Sequence, residues 1–464
     1  MITTALLEGT LQARRLDATD GALPVGFHSL SSDTRTLQSG ALFVALSGPN
    51  FNANLFLNQA VSAGASGIIC SQLPEHPLPI PAWEVPDTLT AMTQLAKAWR
   101  QQLNAHTVGI TGSSGKTTVK EMLGLILSHR YRTGITRGNL NNHIGVPLTL
   151  LNTAQDRTHL VIEMGMSAAD EITHLAQIAQ PQVGIVTNIM PAHVEGFGDG
   201  TLQSALVAIA HAKGELIEAL PNHGTAILPI GDEHFSTLRS KASCTILTFG
   251  IDNSGADITF TPPTLRDTGM QSLITLPNRQ QFEVTLPGFG AYLWQNAVAA
   301  CAAAYASGVE MADMAAGLNG FKLQSGRGNV LKGRHGCRIL NDTYNANAGA
   351  VKAAIEALAQ MAPKDHRLAV LGDMLELGQS TEQLHAGLAE DLVAHDVQRV
   401  FLAGPQMHAL KQELEKAPGI RVFHNTDPVA LADDLAQCVG EGDAVLIKGS
   451  RGMRMERVVD TLKS

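Results

Sequence analysis

Cysteines are few and far apart. Cys70, Cys244, Cys301, Cys337 and Cys438 make no C-x-x-C pair, so neither a zinc site nor a disulfide framework is indicated, and structural thiols are expected. No apolar run reaches the length of a membrane span, and "MITTALLEGT" lacks the basic, apolar, small-residue pattern of a leader. The expectation is therefore a cytoplasmic protein without membrane insertion. An excess of positive charge is missing too. The formal charge is -9, which repels nucleic acid and anionic membranes, so no nucleic-acid partner is expected and an anionic ligand needs local cations or a bridging metal. Fixed-period repeats and low-complexity tracts are also absent.

What remains is a globular chain of 464 residues, 44% hydrophobic and 16% charged, long enough for about three domains with their own cores. The first stretch has strand-like runs, "ALFVAL" and "SGIIC", around a helical segment, a small α/β pattern. The Pro-rich "PEHPLPIPAWEVP" at 74 to 86 disfavours helix and central strand and marks a boundary region. After a helix over 88 to 103 come "HLVIEMG" and "QVGIVTNI", β-branched runs spaced by helical segments, as in a parallel sheet. Between Thr225 and Gly288 the short runs "TAILPI", "TILTFG", "ADITF", "SLITLP" and "FEVTLPG" read as an antiparallel appendage. The Ala-rich 294 to 307 is helical by propensity. Glycines crowd the stretch near residue 325, and "RLAVLGDM", "RVFLAG" and "DAVLIKGS" beyond it alternate with helical segments at 348 to 361, 381 to 395 and 428 to 438. The expected organisation is α/β in three domains, 1–84, 85–325 and 326–464. They are a small α/β domain, a mostly parallel P-loop-type sheet with its appendage, and a Rossmann-like sheet.

The chemistry starts at "ITGSSGKTT". Gly112 and Gly115 let backbone wrap a phosphate, with Ser113 and Ser114 between them. Lys116 brings positive charge, Thr117 offers a hydroxyl to magnesium, and Thr118 opens the helix that follows. Ile110 stands where the strict pattern has glycine, so the loop is a shortened variant. Alone it does not separate ligase, kinase, GTPase or motor. Glu163 and His193 fall at or just beyond the C-terminal ends of expected parallel strands, where open α/β sheets place ligands. The two side chains either share a second magnesium or serve as a solvated loop charge and a capping or core histidine. In "RGNLNNHIGVP", the amides of Asn139, Asn141 and Asn142 either hold substrate or cap a turn.

Taken together, "GSSGKTT", "GNLNNHIGVP", "VIEMG", "TNIMPAH", "AKGEL", "NDTYNANAGA", "GDMLELG" and "KGSRG" resemble the Mur ligase family, in order from about residue 31 to 452. The phosphate loop and "TNIMPAH" are similar to the family broadly. "NDTYNANAGA" and "GDMLELG" resemble its dipeptide-adding branch, and the D-N-P-R of the diaminopimelate-adding branch is absent. The resemblance implies a UDP-binding first domain, a central ATPase domain and a third domain that receives the incoming amine. It also implies an ATP-dependent, ADP-forming ligase of peptidoglycan synthesis. Such an enzyme joins D-alanyl-D-alanine to UDP-N-acetylmuramoyl-tripeptide through an acyl phosphate, with two magnesium ions, and a monomer is expected.

By the same resemblance Lys116 screens the reacting anions, Thr117 and Glu163 hold one magnesium, and His193 a second. Asn296 lies near adenine, while Arg327, Asp342 and Tyr344 contact ATP from the third domain. Asn345 and Asn347 fall in the same motif, whose alternative is a polar loop with one packed aromatic. Lys448 and Arg451 meet a carboxylate or form a solvated cationic turn. Ser31, Ser32, Asp33 and Arg35 in "SSDTR" resemble the uridine-nucleotide loop. Two departures stand out: Asn52 and Asn54 replace an Asp-x-His arrangement, and Ala348 a proline. Lys213 in "AKGEL" either snorkels beside an apolar helix face or matches a lysine carbamylated by carbon dioxide, an anion suited to magnesium. Two rivals remain. One is a folylpolyglutamate-synthetase-like amide ligase of the same family; the other is a P-loop switch indifferent to D-Ala-D-Ala.

Overall fold

The computed structural model describes residues 1–16, 23–73, 76–199, 201–266 and 269–464; Pro74 and Glu75, which open the Pro-rich boundary stretch, lie outside the described residues. Three sheets organise the chain. The first has five strands in the order Arg14–Leu16, Ala82–Glu84, Gly67–Cys70, Leu42–Val44, Leu30–Ser31. All its pairs are parallel except the outer one between Arg14–Leu16 and Ala82–Glu84.

The second sheet is built around His106–Thr111, which pairs in parallel with His159–Glu163 on one side and Val183–Val186 on the other. Thr133–Ile135 closes the first side, while Thr225–Pro229, Thr245–Ile251 and Ile258–Phe260 continue the second, all parallel. Only Gly269–Thr275, Thr264–Arg266 and Gln281–Leu286 are antiparallel. The appendage is thus smaller than the run pattern suggests: the first three of the five runs belong to the parallel sheet. Short β-branched runs look alike in either direction, and the connection decides. The helix Phe235–Ser240 crosses between Thr225–Pro229 and Thr245–Ile251, whereas a tight turn with Arg279 at φ 67 and a bond from Leu276 N to Gln280 O (2.9 Å) makes the hairpin.

The third sheet runs Asn329–Lys332, Arg338–Asp342, Ala444–Lys448, Arg367–Gly372, Arg399–Ala403, Arg421–Asn425, parallel but for its first pair. Helices Ala348–Met361 and Ala430–Cys438 flank it, and the segment read as one helix over 381 to 395 is two, Thr381–Ala386 and Leu388–Ala394. A bend at Gly387 joins them.

Helix Thr88–Gln102 ties the first unit to the second. Asp87 caps it by accepting from Thr90 N at 2.6 Å, and it buries Ala91, Met92, Leu95, Ala96 and Trp99. Burying each large apolar side chain contributes about 1.5–3 kcal/mol. Near its end the buried Arg100 donates to the carbonyls of Leu103, Ala105, Ala179 and Gln180, so its charge is matched by backbone dipoles. The helix therefore cannot turn without stripping those bonds.

At the opposite edge of the second sheet from its strand C-termini, His159 stacks on Tyr131 at 3.8 Å and lies 5.6 Å from His106. Burial, then the charge of His106, holds the His159 imidazole down to about 4 from an ordinary 6.5. The unfolded chain binds the proton more readily, so stability present at neutral pH is lost as pH falls from 6.5 through 4. Calorimetry across that window should show a falling thermal midpoint and a shallower fall for His159→Gln. Equal slopes for both proteins would remove His159 from the transition.

Candidate functional site

The phosphate loop leaves the buried strand His106–Thr111 in a conformation that demands glycine twice. Gly112 has φ 143 and Gly115 φ 81, and a Cβ would stand 1.8 Å from Thr187 Oγ1 at the first and 2.2 Å from Asn296 Oδ1 at the second. The loop is laced to the end of the neighbouring strand. Ser113 N donates to Asn188 O (3.0 Å), Ser114 N to Asn188 Oδ1 (3.0 Å), and Ser113 Oγ to Met190 O (2.9 Å). Lys116 begins the helix Lys116–Ser128 and folds back to donate to Gly112 O at 2.6 Å. Burial lowers its pKa, Glu163 opposes that shift, and Arg327 reinforces it.

Glu163 is the electrostatic centre. It is only 2% exposed, so it is not a solvated loop charge. Its Oε1 accepts from Thr117 Oγ1 (3.2 Å) and Asn141 Nδ2 (2.9 Å), and Lys120 Nζ lies 3.7 Å from Oε2. Among the described residues Oε2 is buried without a hydrogen-bond partner. A buried carboxylate oxygen with an open lone pair beside the Thr117 hydroxyl is the donor chemistry of a hard divalent cation. No three His, Cys, Asp or Glu side chains among the described residues gather into a metal cage, so water or ligand oxygens would complete its shell.

The third unit reaches into the same place. Arg327 donates to Thr117 Oγ1 (3.1 Å) and lies over the Tyr344 ring at 3.8 Å. Lys448 bonds both Asp342 and Asn345 O (2.9 Å), so it is a buried, paired cation at the C-terminal ends of two adjacent strands. These residues and the phosphate loop line one cleft of about 990 Å³. Residues 113–118, Asn139, Asn141, Asn142, Glu163, His193, Lys213, Asn296, Arg327, Asp342, Tyr344, Asn345, Asn347 and Lys448 all border it. The cleft opens where strand order reverses around His106–Thr111, the ordinary ligand position of an open α/β sheet.

Several side chains have local work there. Asn142 Oδ1 accepts from Gly145 N (2.9 Å), and Asn347 Oδ1 caps Ala348–Met361 by accepting from Ala350 N (2.8 Å). His193 is neither core nor side-chain cap. Its ring is 37% exposed and its Nδ1 bonds Glu376 of the third unit. Burial lowers its pKa against the pull of Glu376. Lys213 is 2% exposed, and burial, then the nearby Lys116 charge, drives its pKa well below the usual lysine range. That environment rules out a snorkelling lysine.

Other expected residues stand apart from the cleft. Arg451 does not line it and lies 5.9 Å from the Tyr344 ring. Ser31, Ser32, Asp33 and Arg35 form their own turn on the first unit. There Ser31 Oγ donates to Asp33 O (2.9 Å), and Arg35 grips Asp33, whose pKa falls to about 2. Asn52 and Asn54 bond one another (2.9 Å) and tie the turn at Ser71 and Gln72.

Sequence reasoning passed over Lys120, Glu376 and Tyr292. Lys120 is wholly buried and donates to Gly138 O (3.1 Å) as well as facing Glu163. Its signal was present: in "KTTVKEMLGLIL" it keeps helical spacing with Leu123 and Leu127, on the face that packs. Tyr292 borders the cleft, its phenol pushed up by burial and then by Asp342. Lys120→Met should strip the cation from a buried carboxylate and destabilise the fold by about 3–5 kcal/mol, read from the denaturant midpoint. Adding Glu163→Gln should restore part of the loss, and a midpoint indifferent to Lys120 would show that the pair carries no such role.

Known proteins resemble this chain in sequence and fold. The Mur ligase middle domain profile matches residues 110–304, and the profile described as Mur ligase, glutamate ligase domain matches residues 326–451. A Bacillus subtilis protein named UDP-N-acetylmuramoyl-tripeptide–D-alanyl-D-alanine ligase is 36% identical over 94% of this chain and 93% of its own. A crystal structure of MurF from Acinetobacter baumannii superposes with a TM-score of 0.87 at 32% identity, covering 99% of this chain and 98% of that one. MurF ligase from Thermotoga maritima, solved in complex with ADP, gives a TM-score of 0.80 at 30% identity over 93% of this chain and 96% of that one. With both profiles falling on the two units that build the cleft, the chain belongs to the Mur ligase family.

Proposed function

We infer that this protein is an ATP-dependent, ADP-forming ligase that joins D-alanyl-D-alanine to UDP-N-acetylmuramoyl-tripeptide in peptidoglycan precursor synthesis. The observation that carries the reading is the shared cleft: the phosphate loop of one unit faces Arg327, Asp342 and Lys448 of another across a single cavity. A nucleotide switch needs only the first half. The likeness to relatives that bear this activity in their names, along nearly the whole chain, supports the substrate pair.

The reaction has to bring two anions together. The terminal carboxylate of the tripeptide attacks the γ-phosphorus of ATP, an O–P bond forms, and the bond to ADP breaks. The free amine of D-Ala-D-Ala then attacks the acyl carbon; a C–N bond forms, the amine loses a proton and inorganic phosphate leaves. In this reading the backbone of residues 112–118 and the helix N-terminus hold the phosphates. Lys116 follows the charge that develops on the transferring group. Arg327, held on Tyr344 and Thr117, adds a second cation from the third unit and excludes water as the units close. Asn296 stands beside the phosphate loop for the adenine side. Asn139, Asn141 and Asn345 present amides to substrate, Asp342 contacts ATP beside Arg327, and Lys448 lies toward a substrate carboxylate, with Arg451 outside the cleft. Ser31, Ser32, Asp33 and Arg35 take the uridine nucleotide.

Thr117 and Glu163 would hold one magnesium, and His193 with carbamylated Lys213 a second; the ions supply charge neutralisation to the phosphates. The buried amine of Lys213, with its depressed pKa, favours the neutral form that adds to carbon dioxide. The domain division 1–84, 85–325 and 326–464, a monomer and a cytoplasmic location complete the proposal. Among the described residues no helix is long and apolar enough to cross a membrane.

A coupled phosphate-release assay tests the reading. Release should require both the UDP-tripeptide and D-Ala-D-Ala, whereas release indifferent to the dipeptide would point to a switch, and release with a folate and glutamate to the other amide ligases. Lys116→Ala should lower kcat by roughly 10²–10³ in a folded protein. Lys213→Ala should lose activity and regain part of it with added acetate, and full activity without acetate would exclude the carbamate.

A further inference from the structure

The contact between His193 and Glu376 is made by two turns from different units, and both turns are strained. His193 has φ 59 and Glu376 φ 64, left-handed values that cost a side-chain-bearing residue about 1–2 kcal/mol each. Such conformations persist where the surroundings over-determine them. Here Glu195 N also donates to Glu376 O (3.3 Å), and Gly378 at φ 52 packs on the Glu195 backbone.

As a stabilising pair the contact is worth little. The two side chains are 37% and 62% exposed, and exposed pairs contribute about 0–1 kcal/mol. Its effect on geometry is larger. Because the carboxylate of Glu376 accepts, Nδ1 of His193 carries the hydrogen and the lone pair is left on Nε2. A carboxylate on the far nitrogen is how proteins fix the ring orientation of a metal-binding histidine.

The Glu376 turn is in turn fastened to the candidate acceptor loop. Leu375 N donates to Ser450 Oγ (2.9 Å) and Ser450 N to Asp373 O (3.0 Å), two residues beyond the buried Lys448. A continuous set of bonds therefore runs from the loop after strand Ala444–Lys448, through Leu375 and Glu376, to a side chain at the phosphate end of the cleft.

We propose that Glu376 is a positioning residue through which the third unit, when docked, orients His193 toward the metal end of the ATP site. This rests on the ligase reading and on His193 as a magnesium ligand. Docking of the unit that receives the acceptor would thereby complete the site that activates the carboxylate, tying the first chemical step to the arrival of the second substrate's platform.

The test uses the full chain with Mn²⁺ as the probe ion in the presence of ADP, followed by paramagnetic resonance, so it needs no turnover. Glu376→Ala should weaken Mn²⁺ binding by about 10- to 100-fold and lower kcat with little change in KM for the UDP-tripeptide. Its thermal midpoint should match the parent. Glu376→Gln, whose amide oxygen still accepts from Nδ1, should recover most of the binding. His193→Ala should show the same deficit, and the double variant no further loss. Unchanged Mn²⁺ affinity in Glu376→Ala, or a Gln variant as impaired as Ala, would overturn the proposal. A parent protein that binds Mn²⁺ and ADP with these same mutational effects yet fails to consume D-Ala-D-Ala would overturn the ligase reading instead.

Discussion

A carboxylate buried to 2% exposure has to be matched by positive and donor groups, and the site is arranged around how Glu163 is matched. Lys120 comes from the phosphate-loop helix, Asn141 from the following loop, Thr117 from the helix start, and Arg327 reaches Thr117 from another unit. The donors come from one helix, one loop and another unit, so Glu163 is well matched only when all three are seated together. The open Oε2 is what this arrangement leaves for a ligand. One charge thus links the registration of the phosphate loop, the Arg137–Asn142 stretch and the third unit.

The fold was legible where pattern and period agree. "TVGIT", "HLVIE" and "QVGIV" are continuous apolar runs because both faces of a central parallel strand are covered, and the structure places them side by side. The phosphate loop was legible because its glycines answer a steric demand that sequence displays directly. The direction of the strands between Thr225 and Phe260 was not, since pairing sense depends on how the chain returns, and a six-residue helix such as Phe235–Ser240 leaves little periodicity to read.

The site was legible as a set of residues and much less as a set of contacts. Motif resemblance collected the groups that border the cleft, yet Asn142 and Asn347 turn their side chains to backbone N–H groups, while Lys448 faces Asp342. Lys120 escaped because a lysine in a helix is normally read as reaching solvent; its spacing with Leu123 and Leu127 places it on the packing face, but its complete burial is a tertiary property. Glu376 escaped for a related reason. Its partner is His193, 183 residues away, and no local pattern encodes a contact between turns of separate sheets.

The "SSDTR" turn does not border the cleft, yet the structure connects it to the cleft by a rigid path. Asn142 Oδ1 accepts from Gly145 N at the start of helix Gly145–Leu151, and Asn152 at its end exchanges two hydrogen bonds with Leu30 (3.0 and 2.9 Å), the residue before Ser31. A helix of seven residues spans about 10 Å at the ordinary rise per residue. It is held at one end by the Asn139–Asn142 loop that meets Glu163 and at the other by the turn proposed for the uridine nucleotide. That helix thus fixes the spacing between the Asn139–Asn142 loop and the "SSDTR" turn. Asn52 and Asn54 brace the Ser71–Gln72 turn of the same unit instead of offering charge, while Lys116, Arg327 and Lys448 border the cleft where two anions have to be brought together.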